Sequence, residues 1–328
     1  MSRSANNSKD YFNICECRVY LLFYASYHID KAGRECLLYK MTTAEILKRV
    51  RRIEIKTKGL SNHIFAGEYH STFKGRGMSF SEVREYIPGD DVKFIDWNVT
   101  ARFSHPFVKV FEEERELTVM LLVDVSSSSL FGSQERLKRE LITEISAVLS
   151  FSATTNNDKV GVIFFSDKVE KFIPPKKGRS HILRIIRELI ALEPVQSGST
   201  KISAALDYLN NVLKKRTITF LMSDFVSAPY QTSLQLAARK HDVVGIQVYD
   251  SYDKELPNVG LIQVADAETK QLRWIDTGDK TLRNQYREHF EQQRKYCAQA
   301  FRKSGARLMN IRTDEDYVKV LQGFFKGR

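Results

Sequence analysis

The chain has 328 residues, a formal net charge of +11, 42% hydrophobic residues and 28% charged residues. That length holds one large domain or two modest ones, and that balance excludes a disordered polymer. The longest apolar run near the N-terminus, Val19 to Tyr27, falls short of the ~18 residues a membrane span needs, and Asp10 and Glu16 stand where a signal peptide would be basic, so the sequence reads as cytoplasmic with no membrane span.

Residues 1–40 hold Cys15, Cys17 and Cys36, show no clear period, and are expected to form a poorly ordered extension. The cysteine spacing, with His28, matches no zinc ribbon or finger, so these thiols and Cys297 read as free. At Met41 the stretch MTTAEILKRVRRIEIKTKG reads like a protein start, and translation is expected to begin there. Thr42 and Glu45 form a capping box, Ile46, Val50 and Ile53 recur at helical spacing, and Gly59 can end the helix.

Residues 41–116 form a second segment, expected to pack on the core. It is rich in glycine and charge, with a Pro88-Gly89 turn and a short strand at 107–111. Phe94 and Trp97 offer apolar anchors, and Asp90, Asp91, Asp96 and Arg102 offer paired charges. The spacing predicts a clamp with Trp97 buried and Arg102 meeting a carboxylate; a docking surface is the alternative.

From 117 to 250 the pattern alternates. Strands are predicted at 117–123, 160–165, 217–222 and 243–248, with a shorter apolar run at 169–173. Amphipathic helices are predicted at 134–153, 180–192, 202–213 and 231–239. Strands that are apolar throughout and separated by such helices predict an α/β fold: a doubly wound, mainly parallel sheet covered on both faces. Residues 251–328 add a hairpin turning near 268–270, a long helix at 280–302, a strand at 307–311 and a helix at 315–325, read as part of the same globule.

In an open α/β sheet, ligands bind beyond the carboxyl ends of the strands. The first strand of the alternating region presents Asp124, Ser126 and Ser128 there. The strand at 217–222 presents Ser223 and Asp224, and Ser199 and Thr200 precede a helix. This all-oxygen set, without histidine or cysteine, suits Mg²⁺, Mn²⁺ or Ca²⁺ and disfavours zinc or iron. Hydroxyl ligands bring no charge, which leaves the cation able to bind a further carboxylate from another protein. Taken singly, each residue is commonly a helix cap.

Enzymatic readings find less support. None of the seven histidines lies beside Asp124, and there is no G-x-S-x-G elbow. A phosphotransferase using Asp124 would want a second acid where Ser126 stands. A divalent-metal-dependent hydrolase, cutting phosphoesters or nucleic acid with the same cation, stays as the alternative. The basic residues are scattered, with clusters at 48–52 and 176–179, and read as a solvated face rather than a nucleic-acid site.

Asp124-Val125-Ser126-Ser127-Ser128, with Thr200 and Asp224, resembles the metal-ion-dependent adhesion site of von Willebrand factor type A domains. The preceding FAGEYHSTFKGRGMSFSEVREYIPGDDVKFIDWNVTARF resembles the signature of the bacterial family called domain of unknown function 58, a likeness running from about Met41 to the C-terminus. The resemblance implies that Ser126, Ser128 and Thr200 ligate the metal directly, with Asp124 and Asp224 acting directly or through water. Lys201 stands where an acidic residue is frequent in the family, which implies weakened metal affinity. The resemblance further implies a non-enzymatic interaction protein working with a MoxR-type AAA+ ATPase to assemble or activate other proteins, an unknown client supplying the carboxylate.

Overall fold

The computed structural model describes residues 19–20, 45, 48, 50–54, 78–113, 116–126, 137–192, 200–266 and 272–326. Its centre is a six-stranded sheet in the order β11-β8-β7-β4-β5-β6. The strands are β4 (Thr118–Asp124), β5 (Lys159–Phe165), β6 (Val169–Lys176), β7 (Ile218–Ser223), β8 (Asp242–Tyr249) and β11 (Arg307–Arg312). All neighbours run parallel except β5 and β6. The exception follows from connection length: Ser166–Lys168 is a tight turn, closed by the Ser166 N–H on the Lys168 carbonyl at 2.9 Å, and too short for a crossover. As an edge strand β6 tolerates Pro174 and Pro175, so it runs past the predicted apolar stretch to Lys176.

Successive side chains of a strand point to opposite faces, and both faces here are covered. Val119, Leu121 and Val123 of β4 face α3 (Lys138–Thr155), α4 (Arg179–Ala191), α9 (Tyr317–Lys326) and an early helix α1, helical at 45, 48 and 50–54, which contributes Val50 and Ile53. Met120 and Leu122 face α5 (Ile202–Val212), α6 (Gln231–Lys240) and α8 (Lys280–Ser304). Burial on both sides is why these strands read as unbroken apolar runs instead of alternating ones.

Two smaller sheets stand apart. β9 (Leu261–Asp266) and β10 (Leu272–Asp276) form the predicted hairpin, and β1 (Val19–Tyr20) pairs with the far edge of β9. Val264 and Ile275 pack there with Leu256 and Leu282. Among the described residues β2 (Met78–Glu85) pairs only with β3 (Phe107–Glu113), and the linking residues hold a 3₁₀ turn (Val92–Phe94) and α2 (Trp97–Phe103).

The predicted clamp role of Trp97 is not what the fold uses: its side chain is 67% exposed. Trp97 is the first residue of a seven-residue helix that has no buried residue, and Asp96 caps it through the Asn98 and Val99 N–H groups. The acids of the segment do pair, but with Arg84 (Asp90), Lys93 (Asp91) and Lys109 (Asp96), while Arg102 is exposed.

Candidate functional site

β4 neighbours β5 on one side and β7 on the other, so the order in which strands are added reverses about β4, and a crevice at its carboxyl end is a consequence of topology. Asp124 closes β4 at that point and is 3% exposed. Its Oδ1 accepts the Ser126 N–H at 2.9 Å and its Oδ2 accepts the Ser223 hydroxyl at 2.6 Å. Burial raises the Asp124 carboxyl to about 6, Asp224 pushes it the same way, and hydrogen bonds from Ser223 and Ser126 pull it back. A buried carboxylate held among donors, beside a second carboxylate, gains from any cation placed between them.

Ser223 and Asp224 end β7, and the chain must turn sharply after them. Phe225 does so with φ 61°, a left-handed conformation uncommon for a side chain of its size. The turn is held by the Phe225 N–H on Ser223 Oγ at 3.0 Å, the Val226 N–H on Asp224 Oδ1 at 3.1 Å, and the Gln247 side-chain amide on the Asp224 carbonyl at 3.1 Å. The Phe225 ring lies edge-on to Phe301, 5.3 Å between centroids, which anchors the loop in the core.

Thr200 enters from the third loop. Arg139 of α3 donates to the Leu189, Ile190 and Leu192 carbonyls, a cation at the negative end of α4, which fixes where the chain leaves that helix. Beyond it, the Lys201 N–H donates to the Ser166 carbonyl at 2.8 Å. The Ser227 hydroxyl donates to the Thr200 carbonyl at 2.8 Å, tying this loop to the Asp224 loop. Thr200 Oγ1 is buried and has no hydrogen-bond partner. A buried hydroxyl without a partner costs about 1–3 kcal/mol, so Thr200 Oγ1 keeps hydrogen-bonding capacity that the described residues do not use.

Of the predicted ligands, Asp124 and Ser126 are in contact, Asp224 raises the Asp124 carboxyl by its charge, and Thr200 is joined to the Asp224 loop through Ser227. Ser128 lies outside the described residues. Among the described residues no group of three or more His, Cys, Asp or Glu side chains could hold a metal. The described residues of this edge bring the Asp124 and Asp224 carboxylates within each other's electrostatic reach, beside the buried hydroxyls of Ser126, Thr200 and Ser223. Sequence reasoning placed Ser223 in the oxygen set at this edge but did not assign it the orienting of Asp124, and gave no role to Ser227, which joins two loops. The signal for Ser223 was a polar residue ending an otherwise apolar strand.

The chain is similar to an uncharacterized protein, Rv1480, of Mycobacterium tuberculosis, 30% identical over 281 residues that cover 85% of this chain and 88% of the relative. Among solved structures it is similar to the conserved hypothetical protein BatB from Bacteroides thetaiotaomicron, 13% identical, covering 63% of this chain and 95% of that one at a TM-score of 0.43. It is also similar to the VWA domain of SpRpn10, 10% identical, covering 63% of this chain and 93% of that one at a TM-score of 0.36. Neither structural similarity bears on activity. The model of the family described as protein of unknown function DUF58 matches residues 82–296, more than half of the chain, and the chain belongs to that family.

Proposed function

We propose that this is a cytoplasmic protein-interaction protein whose carboxyl-edge site takes a divalent cation, Mg²⁺ first, through Asp124, Ser126, Ser128, Thr200 and Asp224. The cation's open position would be completed by a carboxylate from a client protein. A MoxR-type AAA+ ATPase is the proposed working partner, on the strength of the family resemblance. The observation that carries the metal reading is Thr200 Oγ1, buried without a hydrogen-bond partner on a loop tied to the one that carries Asp224. Support also comes from the absence of charge on the remaining donors, which leaves a bound ion electron-poor and hence attractive to an outside carboxylate.

With two carboxylates the affinity should be weak, on the order of 10⁻⁴ M. At roughly 1 mM Mg²⁺ such binding stabilises the fold by about 1.4 kcal/mol, a rise in melting temperature of about 2–4 °C. Paired melts in EDTA and in Mg²⁺ test this: wild type should show the rise and Ser126→Ala should lose most of it. Equal shifts in both proteins would place the ion elsewhere and sink the reading. Phosphoester turnover that disappears in Asp124→Ala would favour the hydrolase instead.

A further inference from the structure

Lys138 opens α3 and is 4% exposed. Two effects disfavour a cation there: burial, and the positive end of the helix dipole. The N-cap Leu137 contributes no side-chain hydrogen bond to that helix end. What holds the ammonium is Asp253, in the short helix α7 (Ser251–Lys254) just past the carboxyl end of β8, with Nζ to Oδ2 at 2.6 Å. The same Oδ2 accepts the Asp250 N–H at 2.6 Å as half of a capping box. Burial pushes the Lys138 ammonium down, and Asp253, Asp224 and Asp250 together more than restore it, so the group is a cation. Burial pushes the Asp253 carboxyl up, Lys138 pulls it back, and Asp224 adds to the rise. β8 lies beside β7, Ser223 in register with Gln247, and the Gln247 side-chain amide donates to the Asp224 carbonyl at 3.1 Å, so Asp253, just past the end of β8, holds Lys138 at the same carboxyl edge as Asp224. Lys201, which stands next to Thr200 in sequence, has an exposed side chain by comparison.

We propose that Lys138 is a tethered counter-cation of the carboxyl-edge site: it balances Asp224 when no divalent ion is present, and repels one that enters, keeping the ion weakly held and releasable. This rests on the metal reading above. A fixed positive charge in a buried setting is screened far less than a surface one, so its repulsion of an ion held by Asp224 survives at physiological salt. Asp253 touches Lys138 and masks part of that repulsion. The two residues therefore act on a bound ion with opposite signs, whereas an ion pair that only held α7 to α3 would act through both partners in the same direction.

The test is Mn²⁺ binding to the full chain, read by electron paramagnetic resonance, for wild type, Lys138→Met, Asp253→Asn and the double variant. Lys138→Met should bind about tenfold tighter, the effect of one nearby charge. Asp253→Asn should bind several-fold more weakly, since it keeps an acceptor for the Asp250 N–H but leaves Lys138 unmasked. The double variant should bind more tightly than Asp253→Asn, a comparison that holds even where the Lys138→Met single variant does not fold. Equal affinities within either comparison, or weakening by both single substitutions, overturn the inference while leaving the metal reading in place. No Mn²⁺ bound by wild type at millimolar concentration overturns the metal reading and this inference with it.

Discussion

Asp124 shows how a single buried carboxylate is held between opposing effects. Its hydrogen bonds orient both oxygens, yet burial and Asp224 make its ionised form costly. Asp124→Asn keeps the shape and removes the buried charge. In EDTA at pH 8 this variant should be more stable than wild type by about 1–3 kcal/mol, and the Mg²⁺-dependent rise in its melting temperature should vanish. A lower metal-free melting temperature would mean that the hydrogen bonds of the carboxylate outweigh its cost. His241 is a different case, directly before β8 at the opposite end of the sheet. It is 1% exposed, its Nδ1 lies 2.9 Å from Thr217 Oγ1, and its Nε2 has no partner. Burial lowers it to about 4, helped by Lys240 and Arg216. The unfolded chain therefore takes up a proton at this residue before the folded one does. Its stability contribution is complete above the ordinary histidine value of 6.5, shrinks as pH falls from there, and levels off near 4. The total is on the order of 3 kcal/mol. His241→Asn should flatten that stretch of a stability–pH curve measured by urea unfolding; an unchanged slope would assign the acid sensitivity to other groups.

The elements were legible wherever one force dominated. Periodicity located β4, β5, β7 and β8 and the helices between them to within a few residues, because burial on both faces leaves an unmistakable apolar run. The one large shift is the start of α3, predicted at 134 and found at Lys138, the residue the helix buries against Asp253. β2 was not predicted: MSFSEVRE carries too few apolar residues for a core strand, and its pairing with β3 bridges the whole intervening turn and helix. Trp97 was misread for a related reason, since an aromatic residue in a glycine-rich stretch gives no sign of which side it faces. Gly245 illustrates a requirement that composition hides. A Cβ built on it would lie 2.4 Å from Phe301 Cζ and 2.9 Å from Leu308 Cδ1, so the missing side chain is what lets α8 lie against β8. Gly245→Val should cost at least about 1–3 kcal/mol as an overpacked core, measured as a lowered urea midpoint with unchanged slope. Wild-type stability in this variant would mean that Phe301 can swing away freely.

At the scale of the molecule, a site of this kind is legible because topology gathers the carboxyl ends of parallel strands. The Asp124–Ser126 stretch, Thr200 and Asp224 are far apart in sequence, but an alternating pattern puts the carboxyl ends of the parallel strands on one edge. Illegible from sequence were the contacts that set the field there, above all Lys138, whose partner Asp253 is 115 positions away (253 − 138) and whose burial no periodicity announces. The architecture also predicts unequal stability. β4 and β7 lie inside the six-stranded sheet, with residues at or near zero exposure on both faces. Among the described residues β2 pairs only with β3, β3 adds a single bridge from Val108 to Ile95, and α2 between them has no buried residue. Two-stranded ribbons are marginal by themselves, so the β2–β3 unit should open without the rest of the fold. Native-state hydrogen exchange resolves this. Amides of Leu121, Leu122, Phe220 and Leu221 should exchange only through global unfolding, with a free energy that falls steeply in urea. Amides of Val83 and Lys109 should exchange several kcal/mol more easily, on the order of half the global value, with a shallow urea dependence. If Val83 and Lys109 instead track Leu121 at every urea concentration, the hairpin belongs to the same cooperative unit as the central sheet, and the exposed Trp97 sits on a surface as rigid as the core.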